Sequence, residues 1–144
     1  MFEDFVGTNE PRLRRAFVAA YGSDRGRDAT AEALAYAWEH WLQVSQMNNA
    51  VGYLYRVGQS RTRQRRSVPQ FSPPQGTEWS FEPRLIPALK GLTVNQRTAV
   101  VLIHGFGWTM REVADLTDIK ITTVQNHLER GLRKLRTELE GGNT

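Results

Sequence analysis

Residues 67–84 read SVPQFSPPQGTEWSFEPR and hold four of the six prolines in the chain, Pro69, Pro73, Pro74 and Pro83. Proline fixes φ and lacks an N–H, so this stretch suits neither a helix nor a central strand. It reads as a partly extended linker. It divides the 144 residues into two stretches, 1–66 and 85–144. On either side apolar residues recur at three- and four-residue spacing, and no segment alternates with period two for long. The expected fold is therefore all-α, with two small helical domains joined by the proline-rich piece. Domains of this size sit where a single core is marginal, so each should depend on tight helix packing or on a partner.

Composition removes several functions. The chain has no Cys, which excludes disulfides, thiol catalysis and cysteine-ligated metal sites. His40, His104 and His127 are scattered and form no spaced metal set, so no metal or cofactor is expected. No window approaches the roughly 18 apolar residues of a membrane span. The start, MFEDFVGTNE, is acidic where a signal peptide would be basic and then apolar, so a cytoplasmic protein is expected. Nineteen Lys and Arg against fifteen Asp and Glu give a net charge of +4. That excess admits a polyanionic partner without requiring one. No residue set supports covalent or acid–base chemistry, so the chain does not read as an enzyme.

In the first half, Phe2, Phe5 and Val6 begin an apolar stripe that Leu13, Phe17 and Ala20 continue after Pro11. Gly22-Ser23-Asp24 predicts a break. A second helix is expected from about Asp28 to Met47, with Leu34, Ala37, Trp38, Trp41 and Leu42 at helical spacing. Asn48-Asn49 predicts another break. A third helix turns Val51, Leu54 and Val57 inward and ends on Arg61, Arg63, Arg65 and Arg66. Basic residues at a helix C-terminus offset its dipole. Four so close together also suit a nucleic acid, and both readings stand. Asp28, Glu32 and Glu39 read equally as ordinary solvating charges. Trp38 and Trp41 suit a core or a partner-binding face.

The second half carries stronger local signals. A short helix from Leu85 stops at Gly91. Thr93 and Gln96 form a capping box for a helix running to Gly105. Thr109 and Glu112 repeat the pattern for the next helix, Asp118-Ile119-Lys120 turns the chain, and a last helix runs from about Thr122 to Leu139. A capped helix, a short turn and a second amphipathic helix make a helix-turn-helix. Small Ala114 lies where the helices approach, Ile119 plugs the turn, and Val124 and Leu128 anchor the second helix. Thr122, Thr123, Gln125, Asn126, Glu129 and Arg130 are then left outward near its N-terminal end, the part of a recognition helix that meets base edges. Amides suit adenine, arginine suits guanine or phosphate, and hydroxyls suit phosphate. Arg133, Lys134 and Arg136 extend the positive face, and Arg111 and Lys120 flank it. The competing reading is a three-helix bundle whose polar face only keeps it soluble.

Taken together, these motifs resemble the bacterial extracytoplasmic-function RNA polymerase sigma factors. The stretch DATAEALAYAWEHW, Asp28 to Trp41, matches in register a family run that begins with an acid and ends on two Trp. Ala31 replaces the common Gln and Leu34 the common Phe. YLYRV, Tyr53 to Val57, matches the start of the family's third helix, and LTVNQRTAVVL with GWTMREVADLTDIKITTVQNHLERGLRKLR follows its promoter-binding domain. Only the linker is unaligned. Two departures stand out. Gln59, Ser60 and Gln64 occupy a stretch where the family often has Asn and Asp, and Gln125-Asn126-His127 stands where it often has Lys-Ser-Arg.

The resemblance implies that residues 1–66 form a domain binding core RNA polymerase through Asp28, Glu32, Trp38 and Trp41. It implies that Arg56, Arg61, Arg63, Arg65 and Arg66 meet a downstream promoter element where strands separate. Residues 85–144 would place Arg111, Thr122, Thr123, Gln125, Asn126, His127, Arg130, Arg133 and Lys134 on an upstream element. Promoter DNA and core RNA polymerase are the implied partners, and an anti-sigma factor is a further candidate. Two other readings follow from the residues: a sigma-like DNA-binding regulator that does not open promoters, and a protein interaction module.

Overall fold

The computed structural model describes the backbone of residues 1–64 and 84–141, and side chains for 1–62 and 84–140. The expected linker prolines, Arg65 and Arg66 lie outside the described residues, as does the side chain of Arg63. Every regular element among the described residues is a helix: α1 (Phe2–Tyr21), α2 (Ser23–Glu39), α3 (Trp41–Val44), α4 (Ala50–Gln64), α5 (Leu85–Lys90), α6 (Val94–Val100), α7 (Met110–Thr117) and α8 (Ile121–Gly141).

α1 runs unbroken through Pro11. The ring removes one helical hydrogen bond, but the C-terminal half of α1 buries Leu13, Ala16, Phe17, Ala19 and Ala20, and that packing holds the helix together. The break at the end of α1 is narrower than expected, because Gly22 alone makes it. Its φ of 89° and ψ of 177° suit glycine and almost no other residue. α2 therefore starts at Ser23, not near Asp28. One turn on, a Cβ at Gly26 would lie 2.7 Å from the Val18 backbone, so the α1 and α2 backbones touch. Ala16, Ala19, Ala20, Ala29, Ala33 and Ala37 are all buried in this half.

The expected single helix to Met47 is two helices. His40 leaves helical geometry at φ −117° and ψ 32°, and α3 restarts with a different phase. Trp41 then turns partly inward while Leu42, expected at the buried spacing, is 82% exposed. In the second half both predicted capping boxes are present. Thr93 Oγ1 accepts from the Gln96 N–H at 3.1 Å, and Gln96 Oε1 accepts from the Thr93 N–H at 3.2 Å. α6 passes directly into a π-helical turn, Val101–Gly105, so the helix reaches Gly105 in a wider winding at its end.

The two halves share one core. Leu13, Phe17, Leu54 and Tyr55 from the first half and Leu89, Val100, Leu102 and Leu116 from the second belong to one contiguous buried cluster. α1 packs on α6 and the π turn, and α4 packs on α7. Each half thus serves as the partner that its own marginal core needs. Arg97 is central to the joint. Only 8% exposed, it donates from Nε to the Ala20 carbonyl at 3.1 Å and from Nη1 to Leu89 and Leu92 at 3.3 Å each, with Nη2 also on Ala20. Ala20 lies in the last turn of α1, whose carbonyls lack helical donors. The guanidinium caps α1 from the opposite half. Burial pulls the Arg97 pKa down, but an arginine stays charged.

Candidate DNA and polymerase interfaces

The helix-turn-helix is built as its sequence predicts. Thr109 Oγ1 accepts from the Glu112 N–H at 3.1 Å, and Glu112 Oε1 accepts from the Thr109 N–H at 3.0 Å. The Thr109 N–H, and then its hydroxyl, which also donates to Glu112 Oε1 at 3.1 Å, hold the Glu112 carboxyl below its ordinary value. Asp118 ends α7 in the left-handed region, φ 57°, which Asp tolerates better than most residues. The Ile119 N–H returns to the Ala114 carbonyl at 3.2 Å, and Ile119 packs against the core. Val113, Ala114, Leu116, Val124 and Leu128 are buried.

This packing leaves one side of α8 to solvent. Thr122, Gln125, Asn126, Arg130, Arg133 and Lys134 are exposed, with Arg111 at the start of α7. Thr123 and His127 are half-buried, so they flank this face without standing out from it. Burial, and then the neighbouring Arg130, lowers the His127 pKa below 6.5, which keeps the ring neutral near pH 7. Glu129 also lies on this surface, and Gln125 Nε2 donates to its Oε1 at 3.3 Å. A carboxylate therefore sits among the cations and engages one of the two amide side chains.

The basic end of α4 is less open than its sequence suggests. The Arg61 guanidinium lies 5.6 Å from the centre of the Tyr36 ring, and the Tyr36 and Tyr53 hydroxyls are 3.1 Å apart. Arg56 pairs with Asp118 of the helix-turn-helix turn at 2.8 Å. Gln59 is half-buried and Ser60 exposed.

The third surface lies on α2 and α3. Asp28, Glu32, Ala35 and Glu39 follow one stripe at helical spacing, with Asp28, Ala35 and Glu39 exposed and Glu32 half-buried. Trp38 stands beside that stripe at 63% exposure, held edge-on by Phe2 at 5.1 Å. Trp41 is held edge-on by Phe2 at 5.4 Å and Phe5 at 5.3 Å. An acidic stripe beside exposed indole suits a basic, partly apolar partner surface. Next to it a cleft of about 440 Å³ opens between the halves, lined by Phe5, Arg12, Trp41, Asn49, Asp115 and Leu116 among others.

Sequence reasoning missed Arg97, Gly58 and Gly131. A Cβ at Gly58 would lie 2.2 Å from the Phe17 ring, and one at Gly131 would lie 2.8 Å from Val100 Cγ2. A glycine inside an amphipathic helix was the available signal, because it costs helix stability and calls for a packing reason. Nothing local marks Arg97, whose carbonyl partner is 77 positions away. Among the described residues there is no cluster of His, Asp and Glu able to hold a metal, and no helix is long and apolar enough to cross a membrane.

Comparison with known proteins agrees with this geometry. The model of the sigma-70 region 4 family matches residues 84–135, which span α5 to most of α8. The RNA polymerase sigma-E factor of Streptomyces antibioticus is 30% identical over 152 residues, covering 96% of this chain and 84% of that protein. The structure of the sigma factor RpoE in complex with the anti-sigma factor NepR, from Bartonella quintana, superposes at a TM-score of 0.68 over 96% of each chain. At 20% identity that likeness speaks for the fold. With a relative of this identity and coverage, and an all-helical fold to match, the chain belongs to the RNA polymerase sigma factors of the extracytoplasmic-function group.

Proposed function

We propose that this sigma factor acts through three surfaces, a domain of residues 1–66 supplying two and one of residues 85–144 the third. The acidic and aromatic face of Asp28, Glu32, Trp38 and Trp41 binds a basic surface of core RNA polymerase. α8 lies in the major groove of an upstream promoter element. Gln125 and Asn126 read base edges there, and Thr122, Thr123, Arg130, Arg133 and Lys134 meet bases or phosphates. Arg111 reaches a flanking phosphate, and His127 lines the edge of the contact as a neutral ring. The α4 end, with Arg56 and Arg61 followed by Arg63, Arg65 and Arg66, meets the downstream element. Residues 67–84 link the two domains.

The single observation that carries this reading is the exposed amide and arginine face of α8, set by a doubly hydrogen-bonded cap and a left-handed turn. The chain itself performs no catalysis and needs no cofactor, since nucleotide addition belongs to the polymerase. It works in the cytoplasm, where its polymerase and DNA are. An anti-sigma partner would hold it inactive, as the Bartonella neighbour's complex suggests. Run-off transcription with core polymerase and a pool of genomic promoters tests the proposal. Transcripts from defined starts sharing two upstream motifs are expected, and their absence at every promoter would sink it.

A further inference from the structure

We propose that Glu129 is a specificity-determining residue of this factor, a carboxylate that selects cytosine at one position of the upstream element. The proposal rests on the reading that α8 lies in the major groove, and it adds a base contact to that reading.

Thr122, Asn126, Glu129 and Arg133 recur at intervals of four, three and four, so they form one exposed stripe along α8. Val124, Leu128 and Leu135 form the buried stripe on the opposite side. Glu129 therefore stands near the middle of the exposed face, closer to it than Gln125 does. It lies about two turns from the start of the helix. Thr122, Gln125, Asn126 and Glu129 also have the intervals from which a helix docked in the major groove reaches base edges.

This is a costly place for a carboxylate, because duplex DNA lines the groove with phosphates. An ion pair would shield the charge. Arg130 is adjacent and Arg133 lies one turn on, yet among the described residues Glu129 makes no ion pair. Its hydrogen bond comes from Gln125, whose Nε2 donates to Oε1 at 3.3 Å. A carboxylate only accepts, so the amide must turn its N–H side toward Glu129. That bond orients the carboxylate and leaves Oε2 to accept from a partner in the groove. Gln125 is thus a positioning residue for Glu129, and its carbonyl and second N–H stay available to a base of its own.

A group that accepts and cannot donate sorts the four bases. In the major groove cytosine offers the N4 amino donor and no acceptor. Guanine offers O6 and N7, and thymine offers O4, so both turn acceptors toward the carboxylate. Adenine sets its N6 donor beside the N7 acceptor, a pair that an amide matches better. Glu129 therefore favours cytosine and opposes guanine and thymine. On a sequence with cytosine at that position the contact offsets the repulsion from phosphate; on the others the repulsion stands.

The test is transcription by the full chain with core polymerase from promoters randomised across the upstream element. Wild type should prefer cytosine over guanine and thymine at one position by about fivefold or more, the size of a single mismatch. Glu129→Ala should flatten that position to within about twofold and leave the others unchanged. Glu129→Gln adds a donor at equal length and should move the preference to adenine. The side chain is exposed and outside the core, so both variants should fold as wild type does. A cytosine preference that survives Glu129→Ala overturns the proposal. Binding of the wild-type upstream duplex as a function of salt separates base reading from charge masking. Glu129→Ala should leave the slope unchanged. A slope steeper by about one would mean that the carboxylate masks an arginine from phosphate, and it too overturns the proposal. If wild type selects no upstream base at all, the major-groove reading falls together with this one. If it selects a motif indifferent to Glu129, only the present inference falls.

Discussion

Replacing Gly131 by Ala sets two effects of known size against each other. A glycine inside a helix is about 1 kcal/mol less favourable than alanine, so an exposed site would gain stability. At Gly131 the new Cβ would lie 2.8 Å from Val100 Cγ2 and 3.3 Å from the Gln96 carbonyl oxygen. Carbon atoms pack best at about 3.5–4.0 Å, so the first contact overlaps by roughly 0.7 Å or more. Val100 is 2% exposed, and a β-branched side chain in a helix has one strongly preferred rotamer, so it cannot swing away. α8 must move off α6. Overpacking of this kind costs about 1–3 kcal/mol, leaving a net loss of about 0–2 kcal/mol after the propensity gain. Gly7 in α1 is the internal control, because its Cβ would meet nothing within 4 Å. Gly7→Ala should stabilise by about 0.5–1 kcal/mol. Urea denaturation followed by circular dichroism reads both variants, with the Gly7 midpoint rising and the Gly131 midpoint falling or holding still. Because α8 carries the base-reading residues, Gly131→Ala should also weaken binding to upstream duplex, and Gly7→Ala should not. A Gly131→Ala midpoint that rises as far as that of Gly7→Ala would refute the close α6–α8 crossing.

Four further outcomes follow. Thr109→Ala should destabilise the chain by about 1 kcal/mol through loss of the cap. The folded Glu112 carboxyl is held below its ordinary 4.5, so its contribution is present above that pH and lost as pH falls through the folded value; denaturation at neutral and acidic pH should show this loss shrink in Thr109→Ala. His127 has its pKa lowered from 6.5 on folding, so the unfolded chain binds the proton more readily and stability falls as pH drops below about 6.5; His127→Gln should flatten that slope in a pH series. Gln125→Ala and Asn126→Ala should relax preference at particular upstream positions in a promoter library, whereas Arg133→Ala should weaken all sequences and reduce the salt slope by about one. Trp38→Ala should shift stability by no more than about 1 kcal/mol because the ring is 63% exposed, while pull-down of core polymerase falls sharply, and Asp28→Lys should act in the same direction.

The helices of the second half were legible because their signals are local. Thr93 with Gln96 and Thr109 with Glu112 are bonds between residues three apart, readable without knowing the fold. The outward face of α8 follows from the same short-range periodicity, with half-buried His127 the main departure. The first half was read less well. Gly22 needs only one residue to reverse the chain, so α2 begins earlier than three turn-forming residues suggest. The break at His40 carries no proline or glycine, yet it rephases α3 and turns Leu42 outward.

By itself, then, the sequence determined the helical class, the capped helix-turn-helix and its polar face, since each depends on contacts within a turn or two of chain. The pairing of halves was decided only by the tertiary structure. Arg97 reaches Ala20 across 77 positions, Asn49 reaches Asp115 across 66, and Arg56 meets Asp118. No periodicity encodes such partners. They arise because two cores too small to close alone merge into one, and polar groups trapped at that seam must find partners wherever the chain brings them.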